Sequence, residues 1–444
     1  MKLRQLIATG LVLFFLPQLT LAQKPGVVTD TVSCRKSPSQ TYALYLPEGY
    51  SESKSFGLII FFDPGAEGKF PVNEYKAIAD KYSLILAGSN NSKNGSVDAS
   101  MRAGNAVLED VLTRFNIDKR FIITSGFSGG ARAATGMASN DRRITGIIGC
   151  GAAFNRPDAI TMQRQIPYAE VIGQIEMNYQ EALEANAYLK SIHNPAFLTF
   201  FYAYHQWPPA DAYEEAVAWH QLRVNDNPVL KRDAIAKTLK KAQVKIDSGY
   251  MADASHILKQ HLGLEPIDSM FAIVQKDKRT RPQIKQAEKM DFTERQLQQQ
   301  LLYAYQRHIA YAAPDSAFHP KYWQDFRKDC DKLIASGDRT RKLAGLRLID
   351  FGWHRCSENY WIFTGEQQYR QAAMSAKIFA LILPNSAWPC YLAAKAFALQ
   401  KRKSEMLDYL RQAMARGVKN KERIANDPDF AEYAKSDEFR QIFK

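Results

Sequence analysis

Cysteine is scarce and scattered. The 444 residues hold five, Cys34, Cys150, Cys330, Cys356 and Cys390, with no C-x-x-C and no close Cys/His cluster. A disulfide framework is therefore excluded and a structural zinc site is not expected; only a Cys330–Cys356 pair is left open, for an oxidising compartment. Past the N-terminus there is no apolar run of spanning length, and mean hydropathy is −0.35, which excludes a polytopic membrane protein. Aromatic residues are not lacking: 24 Phe and 21 Tyr are incompatible with a chain that stays unfolded. The length suits two or three domains.

The one long apolar run opens the chain. Lys2 and Arg4 precede it, Leu11–Leu16 forms its centre, and Thr20-Leu21-Ala22 places small residues before Gln23. This reads as a signal peptide over 1–22 cut after Ala22, giving a secreted or periplasmic protein without a transmembrane segment in its mature form. No cysteine follows closely enough for a lipid anchor. Charge is divided unevenly in the remainder. Residues 23–225 carry 19 Lys+Arg against 20 Asp+Glu, whereas 226–444 carry 38 against 26. The basic excess thus belongs to the second half, the first sign of two modules.

The first half alternates short apolar runs with helical periods. Strands are expected at Thr41–Leu46, Gly57–Phe62, Leu84–Ala87, Phe121–Thr124, Ile144–Ile148, Glu170–Ile172 and Phe197–Tyr202. Helices are expected at Pro71–Tyr82, Ala99–Phe115, Ala131–Ser139, Glu181–Ser191 and Ala212–Leu222. That alternation specifies an α/β fold, a mostly parallel sheet with helices on both faces. The second half has almost no strand signal. Helices are expected within Pro228–Gly263 (two, around Ser248-Gly249), Gln283–Ala312, Lys321–Ser336, Arg341–Cys356, Gln367–Leu383, Trp388–Gln400 and Ser404–Arg416. The turn signal Asn225-Asp226-Asn227-Pro228 divides a domain over 23–225 from an all-α helix-pair domain over 226–444.

Gly126-Phe127-Ser128-Gly129-Gly130 matches G-x-S-x-G between a strand and a helix, the setting of a nucleophile elbow. Flanking glycines let the backbone turn sharply and expose the hydroxyl. A serine needs a base, and the base an orienting acid. Of the eight histidines, His193, His205 and His220 precede the junction. His205 follows a strand and precedes Pro208-Pro209, so it is the expected base; His193 and His220 are the alternatives. The acid should follow the preceding strand, which favours Glu176, with Asp158 as runner-up. Glu170 lies within the strand and is expected to point into or beside the sheet, poorly placed for the role. An oxyanion hole needs two amide donors. Gly129 supplies one, and the loop after Gly57–Phe62 the other. Pro64 has no N–H, which leaves Gly65 or Ala66.

These segments resemble the α/β-hydrolase superfamily, in particular small secreted esterases of the polyhydroxybutyrate-depolymerase and feruloyl-esterase kind. The resemblance covers about residues 35–225 and rests on Tyr42–Tyr50, on GLIIFFDPGAEG, on GFSGG and on HQWPPADAYEEAVAW. It implies Ser128 as nucleophile, His205 as base and the acid within Gly173–Tyr179. Three positions depart from that pattern: the acid is Glu176 rather than Asp, Asp63-Pro64 replaces His-Gly, and Ala203-Tyr204 replaces Gly-Gly. The second half is similar, more weakly, to tetratricopeptide-type helix pairs, chiefly at Ser404–Ala413 and at Asn426–Phe439, without a clean period.

Two functions compete on this reading. One is a serine hydrolase acting on esters, with an open site suited to acylated polysaccharide or another polymer, or cleaving amides by the same triad. The other is a binding protein whose basic helical array attracts a protein or an anionic partner. Neither calls for a cofactor or a metal, and secretion disfavours nucleic acid.

Overall fold

The computed structural model describes residues 23–154, 164–309 and 318–443. The expected signal peptide, Asp158 and the end of the Gln283–Ala312 helix lie outside them.

Eight strands form one sheet: β1 (Thr29–Cys34), β2 (Ser37–Tyr45), β3 (Phe56–Phe62), β4 (Leu84–Ser89), β5 (Ile117–Phe127), β6 (Gly146–Cys150), β7 (Tyr168–Gly173) and β8 (Ala196–Phe201). Their spatial order is β1-β2-β4-β3-β5-β6-β7-β8. The β1–β2 and β2–β4 pairings are antiparallel, and every later pairing is parallel. β3, β4, β6 and β7 are buried along their whole length, as central strands covered on both faces must be. The helices of this half are α1 (Lys69–Glu74), α2 (Lys76–Tyr82), α3 (Val97–Arg114), α4 (Gly129–Asn140), α5 (Tyr179–Ser191) and α6 (Ala210–Val224).

The helix expected over Pro71–Tyr82 is broken at Tyr75, whose backbone leaves the helical region. Its buried ring stacks on Tyr213 with centroids 3.9 Å apart, and its hydroxyl donates to Pro208 O at 2.8 Å. Those tertiary contacts fix the ring where a continuous helix would not. β1 was not expected; it is short, largely exposed and polar, without an apolar run to announce it.

Residues 228–443 form a multi-helix all-α region. Its helices are α7 (Pro228–Asp247), α8 (Met251–Lys259), α9 (Glu265–Lys276), α10 (Thr280–Ile309), α11 (Pro320–Ala335), α12 (Arg339–Gly365), α13 (Tyr369–Ile382), α14 (Ala387–Leu399) and α15 (Lys403–Ala415). Two short helices, α16 (Lys421–Ala425) and α17 (Asp437–Phe443), close it. From α11 to α15 each helix packs on the next, and α17 packs back on α15, around one core that includes Trp323, Cys356, Phe379, Leu392 and Phe439. All five cysteines are buried free thiols, Cys330 and Cys356 included. No helix among the described residues is long and apolar enough to cross a membrane.

The helical region covers the open edge of the sheet. Edge strand β8 would present unpaired backbone groups. Gln260, which caps the C-terminal end of α8, accepts at Oε1 from Leu198 N–H at 3.2 Å, and His256 of α8 donates from Nε2 to Leu198 O at 2.9 Å. Lys241 of α7 bonds Glu215 at 2.7 Å and Thr199 at 3.1 Å. A cavity of about 730 Å³ remains between β8 and the helices, lined by Gln174, Tyr179, Phe201, Lys241, His256 and Arg339.

Candidate active site

β5, β7 and β8 run parallel, so the loops leaving their C-terminal ends meet at one end of the sheet, where ligands bind in open α/β folds. Ser128 follows β5, Glu176 follows β7 and His205 follows β8.

Ser128 is the turn itself. Its φ of 54° and ψ of −122° are strained for a residue with a side chain, and strain of this kind concentrates at functional positions. The neighbouring glycines are required by space. A Cβ on Gly126 would lie 2.2 Å from Gly130 O, and one on Gly130 would lie 2.0 Å from Phe62 O. Strand, turn and helix therefore approach as close as bare backbone allows, and α4 starts directly at Gly129.

From this position Ser128 Oγ reaches His205 Nε2 at 2.9 Å, and His205 Nδ1 reaches Glu176 Oε1 at 2.7 Å. Glu176 is fully buried; its Oε1 also accepts the Asn178 N–H at 3.2 Å, while Oε2 is buried with no hydrogen-bond partner among the described residues. With Glu176 ionised, Nδ1 carries the proton and Nε2 is left as the acceptor for the serine hydroxyl. Phe127 packs beside the His205 ring with centroids 4.5 Å apart. The three residues expected to work together are thus joined by two hydrogen bonds.

The alternatives are placed elsewhere. His220 is buried on α6 and donates from Nε2 to Ile147 O at 3.0 Å, near the start of β6 and so toward the opposite end of the sheet; burial lowers its pKa to about 4. His193 is exposed with φ of 56°, ending α5 before β8. Glu170 is buried within β7 and accepts the Tyr168 hydroxyl at 2.8 Å; burial pushes its pKa well above the carboxylate range. It lies within the sheet, as expected.

The oxyanion side differs from expectation. Gly65 N–H donates to Asp63 Oδ1 at 2.8 Å, and Ala66 N–H to Asp63 O at 3.1 Å. Both amides are engaged inside their own turn. The reason is Asp63, whose carboxylate folds the following residues into an Asx turn. Its Oδ1 also takes the Glu67 N–H at 3.2 Å, and Ala66 sits in the left-handed region at φ 64°. Gly129 N–H has no hydrogen-bond partner among the described residues, as suits the first residue of a helix. The departure from the His-Gly pattern also has a purpose: Asp63 Oδ2 accepts the indole N–H of Trp207 at 2.8 Å, two residues past His205.

The helical region reaches the same loops. Arg347 of α12 is buried, pairs with Glu294 of α10 through Nε–Oε1 at 2.9 Å, donates from Nη1 to Gln174 O at 3.1 Å and lies 4.0 Å over the Tyr179 ring. Gln174 and Tyr179 bracket Glu176. Two turns along α12, His354 packs against His205 with ring centroids 5.4 Å apart at 76°. Neither residue was singled out in the sequence, because a histidine in the helical half has no motif around it. No group of three or more metal-ligating side chains is found among the described residues.

No family model matches the chain, and no curated protein matches it. Solved structures do match, over less than half of the chain. An S-formylglutathione hydrolase from Staphylococcus aureus is 16% identical with a TM-score of 0.37, and the match covers 46% of this chain and all of that one. A fluorophosphonate-binding serine hydrolase from the same organism gives the same figures. The feruloyl esterase module of Clostridium thermocellum is 13% identical with a TM-score of 0.36, over 43% of this chain and 86% of that one. The sheet order, its antiparallel second strand and the strand–turn–helix at Ser128 give Thr29–Val224 an α/β-hydrolase-like fold, a mostly parallel sheet flanked by helices, with a separate all-α region following it.

Proposed function

We propose that the protein is a secreted or periplasmic serine hydrolase of carboxylic esters, with a catalytic domain over 23–225 and a helical domain over 226–444. The observation that carries this reading is the unbroken relay Ser128 Oγ, His205 Nε2, His205 Nδ1, Glu176 Oε1, at 2.9 and 2.7 Å. Ser128 Oγ attacks the ester carbonyl carbon as His205 Nε2 takes the hydroxyl proton. Glu176 holds the ring in the required tautomer and stabilises the imidazolium. The carbonyl oxygen gains negative charge facing the Gly129 N–H. When the tetrahedral adduct collapses, the bond to the leaving alcohol breaks and His205 returns the proton to it. Water, deprotonated by His205, then attacks the acyl-serine and releases the acid.

Acylated polysaccharides or other polymeric esters are the substrate class: Tyr202 and Tyr204, just before His205 in the chain, are exposed and offer apolar ring faces with a polar tip. The test is a fluorophosphonate probe on the full chain. Labelling of the wild-type protein and its loss in Ser128→Ala are expected, with the same order of activity on p-nitrophenyl esters. A folded wild-type protein that takes up no probe overturns the reading.

A second reading draws on the oxyanion side. With the Gly65 and Ala66 amides engaged, the fold serves equally as an inert scaffold for a basic helical binding surface. Unlabelled, well-folded protein is the outcome it requires.

A further inference from the structure

Positions 347, 350 and 354 fall at helical spacing on one face of α12. Arg347 fixes that face to the loop carrying Glu176, through the Gln174 carbonyl and the Tyr179 ring. Seven residues on, the face meets His205. His354 Nδ1 donates to Asp350 O at 3.0 Å and lies 3.4 Å from Asp350 Oδ1. Asp350 is fully buried: the Trp353 indole donates to its Oδ1 at 3.1 Å, and its Oδ2 has no partner. A buried carboxylate so incompletely satisfied needs a nearby cation, and His354 is the base beside it. Two carboxylate–imidazole pairs, Glu176–His205 and Asp350–His354, therefore stand ring against ring, one from each half of the molecule.

We propose that His354 is a positioning residue of the candidate triad: its ring braces the His205 imidazole, and its charge sets the pH range over which His205 is a neutral base. This rests on the serine-hydrolase reading above. The groups facing the two rings are Glu176 from the loop after β7, Ser128 from the elbow, Tyr204 from the His205 loop, and Asp350 from α12. Burial alone would lower the His354 pKa, but the hydrogen bond and charge of Asp350, with Glu176 further off, reverse this and raise it above 6.5. The Asp350 contacts therefore favour the cationic form of His354, whose ring lies against that of His205. A cation this close disfavours a second one on His205. Removing it lets His205 take up a proton at higher pH, so the acid limb of activity moves upward.

The experiment is the rate of fluorophosphonate labelling of the full chain from pH 5.5 to 9, in wild type, His354→Gln and His354→Lys, with the melting transition followed alongside. In His354→Gln the acid limb is expected to move up by about one unit, so that labelling falls about tenfold at pH 6 and stays within about twofold at pH 8.5. His354→Lys, which keeps a cation, is expected to hold the limb at or below its wild-type position. A uniform loss across pH in His354→Gln, or no change, makes His354 a packing residue and overturns the proposal. If His354→Gln does not fold, a limb above the wild-type position in His354→Lys does the same. Wild-type protein that never labels instead removes the underlying serine-hydrolase reading, a failure distinguishable from either of these.

Discussion

The two sides of Ser128 are organised differently. On the base side everything is fixed by strong partners: Glu176 holds His205, while Arg347 and His354 reach in from α12. On the oxyanion side the donors are backbone amides, and a local turn decides whether they are available. There the Gly65, Ala66 and Glu67 amides are drawn back onto Asp63, and the Gly129 amide stays free. Asp63 serves both sides at once, because the carboxylate that draws in the Gly65 and Glu67 amides also holds Trp207 and so steadies the His205 loop. A relay of side chains can be preformed by burial and pairing, whereas an oxyanion hole depends on backbone that a single neighbouring residue redirects.

Glu176→Gln is the strongest way to break this contrast. The amide keeps the shape of the carboxylate and its Oε1 contacts, but removes the negative charge that stabilises the imidazolium formed as His205 takes the serine proton. Ester hydrolysis is expected to fall on the order of 10⁴-fold. Folding stability should change little, since Glu176 Oε2 is already buried without a partner. Measuring kcat/KM beside the urea midpoint checks both; a loss under tenfold would mean that the base side is not what activates Ser128.

Asp63→Asn comes next, and acts mainly on stability. Its oxygen still accepts from Gly65 and Glu67, but its NH₂ faces the Trp207 indole N–H, donor against donor. A loss of about 1–3 kcal/mol in urea unfolding is expected. Were the turn amides serving the oxyanion, loosening them would change the rate by the ~10²–10³ of a lost donor. The expected change in labelling is under tenfold, which keeps the two sides distinct.

The sequence made the base side legible and the oxyanion side much less so. Gly126 and Gly130 stand where strand, turn and helix touch, so the motif states its own geometry. His205 was singled out because two prolines follow it and a strand precedes it, and Glu176 because it leaves the neighbouring strand; the structure brings the two within 2.7 Å. That the Gly65 and Ala66 amides are engaged within their own turn was not legible, because an Asx turn depends on where one carboxylate points, which spacing does not encode. The helix break at Tyr75 was hidden for the same reason: its cause, a stack on Tyr213, is 138 residues away in the chain. Arg347, Asp350 and His354 were invisible because their role arises only when the helical region packs on the sheet, and α12 reads from its sequence as an ordinary helix.

The smallest effect is expected at Gly129, and it tests the oxyanion side directly. Unlike Gly130, whose Cβ would strike the Phe62 carbonyl, Gly129 has only the Asn94 side chain in the way, with Oδ1 2.0 Å from the Cβ position. Asn94 is exposed and can swing aside, and Gly129 is not in the left-handed region. Gly129→Ala keeps the N–H, so its cost in stability should stay below about 1 kcal/mol, at the mild end of small-to-large changes. Labelling should fall less than tenfold. A drop of 10² or more, restored by adding Asn94→Ala, would mean that the new methyl and the displaced amide crowd the space where the oxyanion forms. A drop that Asn94→Ala does not restore, or deepens, would instead make the Asn94 side chain itself a donor, and the oxyanion side would then be built from the loop before α3 rather than from the loop after β3.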